Sequence, residues 1–97
     1  MVKPVRRYEV YRVKLDPTQG SEIEETRPCV TVSPMTSTQR DYPTRVNLTF
    51  QRKKGQVVLD QIRNVDKSCL VKRLGVLPEA RARKVAGVLE EMFAYGD

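Results

Sequence analysis

The chain contains no histidine, two cysteines, four tyrosines and two phenylalanines, and no long apolar run. Each shortage excludes something. Without histidine, an acid–base site built from paired imidazoles is impossible, and a zinc centre would need carboxylates to complete its ligand set. Cys29 and Cys69 fall in different segments and read as two reduced thiols, so neither a disulfide framework nor a metal site is expected. No cofactor is expected either. No apolar stretch approaches the roughly 20 residues of a membrane-spanning helix. Arg6-Arg7 has no apolar segment behind it, which argues against a secretory or twin-arginine signal and for a cytoplasmic protein with no membrane partner.

What is present fits one small domain over residues 1–97, with 39% hydrophobic and 31% charged residues. A chain of this size buries a modest core and gains from a partner subunit. The formal net charge of +6 is unevenly spread: residues 1–15 carry +4, 16–26 carry −4, 27–54 carry +5 and 55–97 carry +1. A basic surface divided by an acidic loop suits a polyanionic partner, either nucleic acid or an acidic protein segment. The charge alone fits a merely soluble basic surface equally well.

Local patterns predict mostly strands. Residues 8–15 alternate, but Tyr8 and Val10 lie on one parity and Tyr11, Val13 and Leu15 on the other, which calls for a bulge or core on both faces. Val30 and Val32 oppose Cys29 and Thr31. Residues 44–50 form the clearest strand, with Val46, Leu48 and Phe50 inward. Lys53-Lys54-Gly55 reads as a turn, and residues 56–65 as one nearly continuous apolar strand interrupted by Asp60 and Gln61. Asp66-Lys67-Ser68 reads as a turn or a single helical turn capped by Asp66. A short strand over 71–77 follows. Pro78-Glu79 then opens a helix with Ala82, Val85, Ala86, Leu89, Met92 and Phe93 on one stripe and Gly96 as its stop.

Between these elements the run Leu15-Asp16-Pro17-Thr18-Gln19-Gly20-Ser21-Glu22 leads into Arg27-Pro28, Val30, Val32 and Ser33-Pro34. Met35-Thr36-Ser37, Tyr42-Pro43 and Leu59-Asp60-Gln61-Ile62-Arg63 come next. Together, in this order over nearly the whole chain, these motifs resemble the MazF/PemK family of bacterial toxin endoribonucleases (mRNA interferases). The resemblance implies a mainly β (α+β) fold, an SH3-like small β-barrel of the CcdB/PemK type with one C-terminal amphipathic helix. It also implies a homodimer, single-stranded RNA as substrate, and an antitoxin whose acidic disordered segment blocks the RNA groove. In such relatives a loop and a further strand, roughly five residues long, separate the Val-x-Ser-Pro and Met-Thr-Ser elements. Here Ser33-Pro34 runs straight into Met35-Thr36, an apparent internal deletion between Pro34 and Met35.

RNA can be cut without metal when its own 2′-hydroxyl attacks the adjacent phosphorus. That requires a base for the 2′ proton, stabilisation of the phosphoryl oxygens and a proton for the leaving oxygen. The resemblance assigns catalysis to Arg27 and Thr36. The Arg27 guanidinium is a permanently charged fork matched to phosphate oxygens, and the Thr36 hydroxyl is a donor to the same oxygens or to the leaving group. Glu22 is the candidate base. For RNA binding, the loop Asp16, Thr18, Gln19, Gly20 and Ser21 would close one side, while Ser37, Thr38, Arg40 and Tyr42 would supply hydroxyls, a phosphate contact and a stacking ring. Gln61 could bond a base edge, and Asp60-Gln61 could equally orient a loop or line a subunit contact. On the residues alone, Arg27 is first an ion-pair partner for Glu22, Glu24 or Glu25, Thr36 is turn chemistry, and Tyr42-Pro43 is a turn before a strand. Two other functions share the pattern: a CcdB-like gyrase-binding toxin acting through its C-terminal helix, and a non-catalytic SH3-like module binding nucleic acid or protein.

Overall fold

The computed structural model describes residues 4–15 and 28–94, and contacts divide the chain into two compact units. One comprises Met1–Val32 with Asn64–Leu77, the other Ser33–Arg63 with Pro78–Asp97. The first is built mainly of strands and the second of a sheet and one helix, and the described strands fall into three separate sheets with no ladder closing them into a barrel. No helix among the described residues is long and apolar enough to cross a membrane.

In the first unit, β1 (Glu9–Val13) pairs antiparallel with β7 (Leu70–Val76), and β2 (Cys29–Val32) pairs with β6 (Arg63–Asp66). The β1–β7 register slips between Val10 and Tyr11 and again between Arg12 and Val13. At each slip the register passes over one residue of β7, Leu74 and Val71, so β1 itself carries no inserted residue. Of the two readings of the parity change, the half-burial of Val10, Tyr11 and Val13 fits a strand covered on both faces. Glu9 fastens this sheet. Its carboxylate accepts from the Arg6 backbone N–H at 2.7 Å, from Arg73 Nε at 2.6 Å and from the Tyr11 hydroxyl at 3.2 Å. The Arg6 N–H and then Arg73 hold that carboxyl below the usual glutamate range. The expected helical turn is present as a 3-10 helix over Lys67–Cys69, with Asp66 accepting from the Ser68 N–H at 2.8 Å. Cys69 is buried, Cys29 is exposed, and neither forms a disulfide.

In the second unit, β3 (Met35–Thr36), β5 (Lys53–Val58) and β4 (Arg45–Phe50) form an antiparallel sheet in that spatial order. Helix α1 (Glu79–Met92) packs on β4. Val46 and Leu59, each 1% exposed, are the most deeply buried side chains. The helix starts at Glu79, so Pro78 stands one residue before the first helical position expected for it, its carbonyl accepting from the Ala82 N–H at 2.9 Å.

Three local expectations are corrected. The helix buries Ala82, Val85 and Val88, whereas Phe93 is 66% exposed. Phe93 already lies past the last helical residue, so the spacing that placed it on the stripe no longer applies. The expected strand over 56–65 breaks after Val58 into a 3-10 helix, Leu59–Gln61, before β6. The expected turn at Lys53-Lys54-Gly55 is strand. The hairpin instead turns at Gln51 and Arg52, with φ of 50° and 68°, and pairs Phe50 with Lys53. A two-residue hairpin closed by a type I′ turn needs left-handed backbone at both loop positions, whatever residues occupy them. Gly55 serves a different need: a Cβ there would stand 2.7 Å from the Thr36 carbonyl oxygen.

Holding a β-carbon in the left-handed region costs on the order of 1 kcal/mol. Arg52→Gly should therefore raise unfolding free energy by up to about that amount, measured by urea denaturation of the two proteins. An equal or lower midpoint would contradict the hairpin geometry.

Candidate functional site

The second unit gathers the described candidates along one segment, from β3 through the connection to β4. Thr36 is half-buried at the end of β3, and its Oγ accepts from the Thr38 N–H at 3.1 Å. The threonine is thus turn chemistry, as its residue type suggests, yet an accepting hydroxyl still has its own proton to donate. Ser37, Thr38 and Arg40 are exposed on the bend that follows.

One buried carboxamide fixes this bend. Gln56, on β5, is 3% exposed. Its Oε1 accepts from the Arg40 N–H at 3.1 Å while its Nε2 donates to the Arg40 carbonyl at 2.8 Å and to Asn47 Oδ1 at 2.7 Å. Pairing both backbone groups of one residue sets the position of that loop as an extra strand would. Gln56 did not stand out in the sequence, although a glutamine heading the run Gln-Val-Val-Leu carries the same signal that singled out Asp60-Gln61. Buried polar groups require partners.

A second anchor lies at the other end of the segment. Asp60 Oδ1 accepts from the Thr44 hydroxyl at 3.0 Å and from Arg45 Nε at 3.1 Å. Burial pushes the Asp60 carboxyl up, but the Thr44 and Arg45 hydrogen bonds outweigh it and hold the group below the usual aspartate range. Of the roles open to Asp60, orienting a loop is therefore the one its contacts display. Gln61 beside it is exposed on the 3-10 helix rather than within a strand. Tyr42 opens a turn in which its carbonyl accepts from the Arg45 N–H at 3.1 Å, and the Arg45 guanidinium lies 5.1 Å from its ring centroid. The ring is 52% exposed, but the cation already occupies part of its surface.

A cleft of about 430 Å³ adjoins the segment, lined by Gln39, Asn47, Leu48, Thr49, Lys54, Gly55 and Arg81. Arg81, in the first turn of α1, donates from Nη1 to the Asn47 carbonyl at 2.9 Å. Arg27, Glu22, Asp16, Thr18, Gln19, Gly20 and Ser21 lie outside the described residues. The structure therefore brings together Thr36, Ser37, Thr38, Arg40 and Tyr42, with Gln61 beside their Asp60 anchor.

Comparison with known proteins gives three findings. Residues 6–93 match the family described as PemK-like, MazF-like toxin of type II toxin-antitoxin system. Among solved structures, a Mycobacterium tuberculosis toxin, MazF-mt6, superposes with a TM-score of 0.63 at 17% identity, covering 92% of this chain and 87% of that one. A second, described as an Mtb toxin, gives 0.62 at 24% identity, covering 67% of this chain and 75% of that one. At these identities the two likenesses are of fold: mainly β with one C-terminal helix. No curated protein matches.

Two outcomes follow from the anchors. Gln56→Leu removes three hydrogen bonds and should cost about 1–3 kcal/mol; a denaturation midpoint equal to the parent's would refute the role given to the amide. Because the Asp60 pKa is depressed in the fold, its stabilisation is complete above the unfolded-state pKa and disappears as pH falls through the folded-state value. The stability gap between the parent and Asp60→Asn should be present at pH 7 and close in acid, followed by urea titration across that range.

Proposed function

This chain belongs to the PemK-like, MazF-like toxins of type II toxin-antitoxin systems, and we propose that it is a sequence-specific, metal-independent endoribonuclease acting on single-stranded mRNA. The observation that carries the reading within the chain is the anchored segment from Thr36 to Tyr42. It presents hydroxyls, a cation and an aromatic edge on a loop whose backbone is locked from beneath by Gln56. Single-stranded RNA is recognised by such preset loops, through unstacked bases and phosphate contacts.

In the proposed reaction the 2′-oxygen bonds to phosphorus and the P–O5′ bond breaks, leaving a 2′,3′-cyclic phosphate and a free 5′-hydroxyl. Glu22 takes the 2′ proton. Arg27 clamps the non-bridging oxygens, where a fork of charged donors is worth most as negative charge develops. The Thr36 hydroxyl donates a hydrogen bond to the departing 5′-oxygen, which takes its proton from water. The loop from Asp16 through Ser21 closes over the RNA from the other side. The working form is a cytoplasmic homodimer on an SH3-like barrel scaffold. Its dedicated partner is an antitoxin whose acidic segment folds along the basic groove.

The test uses an RNA oligonucleotide and its 2′-deoxy counterpart, both with a chelator present. The RNA should be cut to a cyclic phosphate and the deoxy strand spared. Arg27→Ala should lower the rate by about 10²-fold or more. Cleavage of the deoxy strand, or rescue only by added divalent metal, would overturn the mechanism.

A further inference from the structure

The cleft lined by Gln39, Asn47, Lys54 and Arg81 includes none of the residues assigned to the reaction, yet its wall adjoins Thr36. Gln39 sits between Thr38 and Arg40 on the anchored bend. Gly55, on the cleft wall, approaches the Thr36 backbone so closely that a Cβ would meet its carbonyl oxygen at 2.7 Å. We infer that this cleft is a nucleotide subsite, taking one nucleotide of the single-stranded RNA to either side of the scissile phosphate. The inference rests on the endoribonuclease reading and extends it to the substrate's flank.

Size, charge and polarity agree on the occupant. About 430 Å³ falls within the roughly 300–1,000 Å³ typical of small-ligand pockets, which suits a single nucleotide and not a helix. Among the described residues, the charged side chains on its wall are both cations, Lys54 and Arg81, with no carboxylate beside them. Lys54 is exposed, so its ammonium can meet a phosphate without first losing an internal role. Arg81 Nη1 is engaged by the Asn47 carbonyl, which holds the guanidinium at the cleft with its other N–H groups still on offer.

The amides distinguish a nucleotide from an acidic peptide. Gln56 Nε2 donates to Asn47 Oδ1 at 2.7 Å, and this orients the Asn47 carboxamide so that its NH2 is the group left to donate. Gln39 brings a second carboxamide and Thr49 a hydroxyl. Donor and acceptor pairs of this kind read base edges. A carboxylate-rich peptide would call for the cations alone.

The test compares the parent with Lys54→Ala and Lys54→Arg, whose folding is checked by thermal melting. In cleavage assays Lys54→Ala should raise KM about five- to tenfold with kcat within twofold, and Lys54→Arg should restore it. On an uncleavable all-2′-deoxy oligonucleotide, the slope of log affinity against log salt should fall by about 0.7 in Lys54→Ala, as for one lost phosphate contact on a single strand. With RNA trimmed stepwise from each end, parent and Lys54→Ala should become indistinguishable once the flanking nucleotide is gone. A parent that cuts RNA while Lys54→Ala matches it in KM and salt slope removes the subsite and leaves the nuclease reading standing. A Lys54→Ala protein that loses affinity only for a glutamate-rich peptide assigns the cleft to a protein partner and overturns the inference. A parent that neither binds nor cuts RNA removes both readings.

Discussion

Gln56 is the residue on which the candidate site depends. A carboxamide placed at 3% exposure would be a liability of a few kcal/mol if its polar atoms lacked partners, yet its three hydrogen bonds satisfy both ends of the group. The same bonds perform a structural task. They supply the Arg40 backbone with partners inside the protein, so the loop between β3 and β4 is held at a fixed height over β5. No buried side-chain nitrogen or oxygen among the described residues is left without a partner. Polar burial in this unit is organised, and its organisation points toward the loop.

The two anchors act on different chemistry. Gln56 is neutral and grips backbone, so its hold does not change with pH or salt. Asp60 is charged and grips the Thr44 and Arg45 side chains, with its carboxylate 37% and Arg45 10% exposed on the side chain, so its hold is weakened by acid and by ionic strength. Between them lies Tyr42, whose ring faces the Arg45 guanidinium. A base stacking on this ring would therefore meet a surface that already carries a cation, which favours nucleotides through their phosphates as well as their rings.

Much of the fold was legible because periodicity reports burial. Val46 and Leu48 against Asn47 and Thr49, the Asp66 cap and the helix start at Pro78-Glu79 all follow from local rules that the tertiary structure leaves intact. Gly55 and Gln56 were misread for one cause, a residue serving a distant partner, and Phe93 for another. Gly55 looked like turn chemistry because its lack of a side chain has two uses, and here the demand comes from Thr36 on a neighbouring strand. Phe93 looked like core because spacing cannot tell where a helix ends. Gln56 was overlooked because its partners, Arg40 and Asn47, lie 16 and 9 residues away, beyond any window in which a pattern is read. The candidate site itself was legible only through motif order, since threonine, serine and tyrosine in a loop carry no signature of their own.

The short link at Ser33-Pro34 tests how independent the site-bearing sheet is. If the passage from β2 to β3 were distorted by a missing strand, β3 should be poorly paired. Instead the Pro34 carbonyl accepts from the Val58 N–H at 2.8 Å, and Met35 and Thr36 continue the ladder opposite Val57 and Gln56. The ladder is thus complete up to the joint on its β3 side. On the other side, β2 has β6 as its one partner among the described ladders, secured by Thr31 Oγ donating to Asn64 Oδ1 at 2.6 Å. Any consequence of a shortened connection therefore falls on the small β2–β6 sheet. Thr36, the bend and the adjoining cleft take their geometry from β5, which the joint does not interrupt.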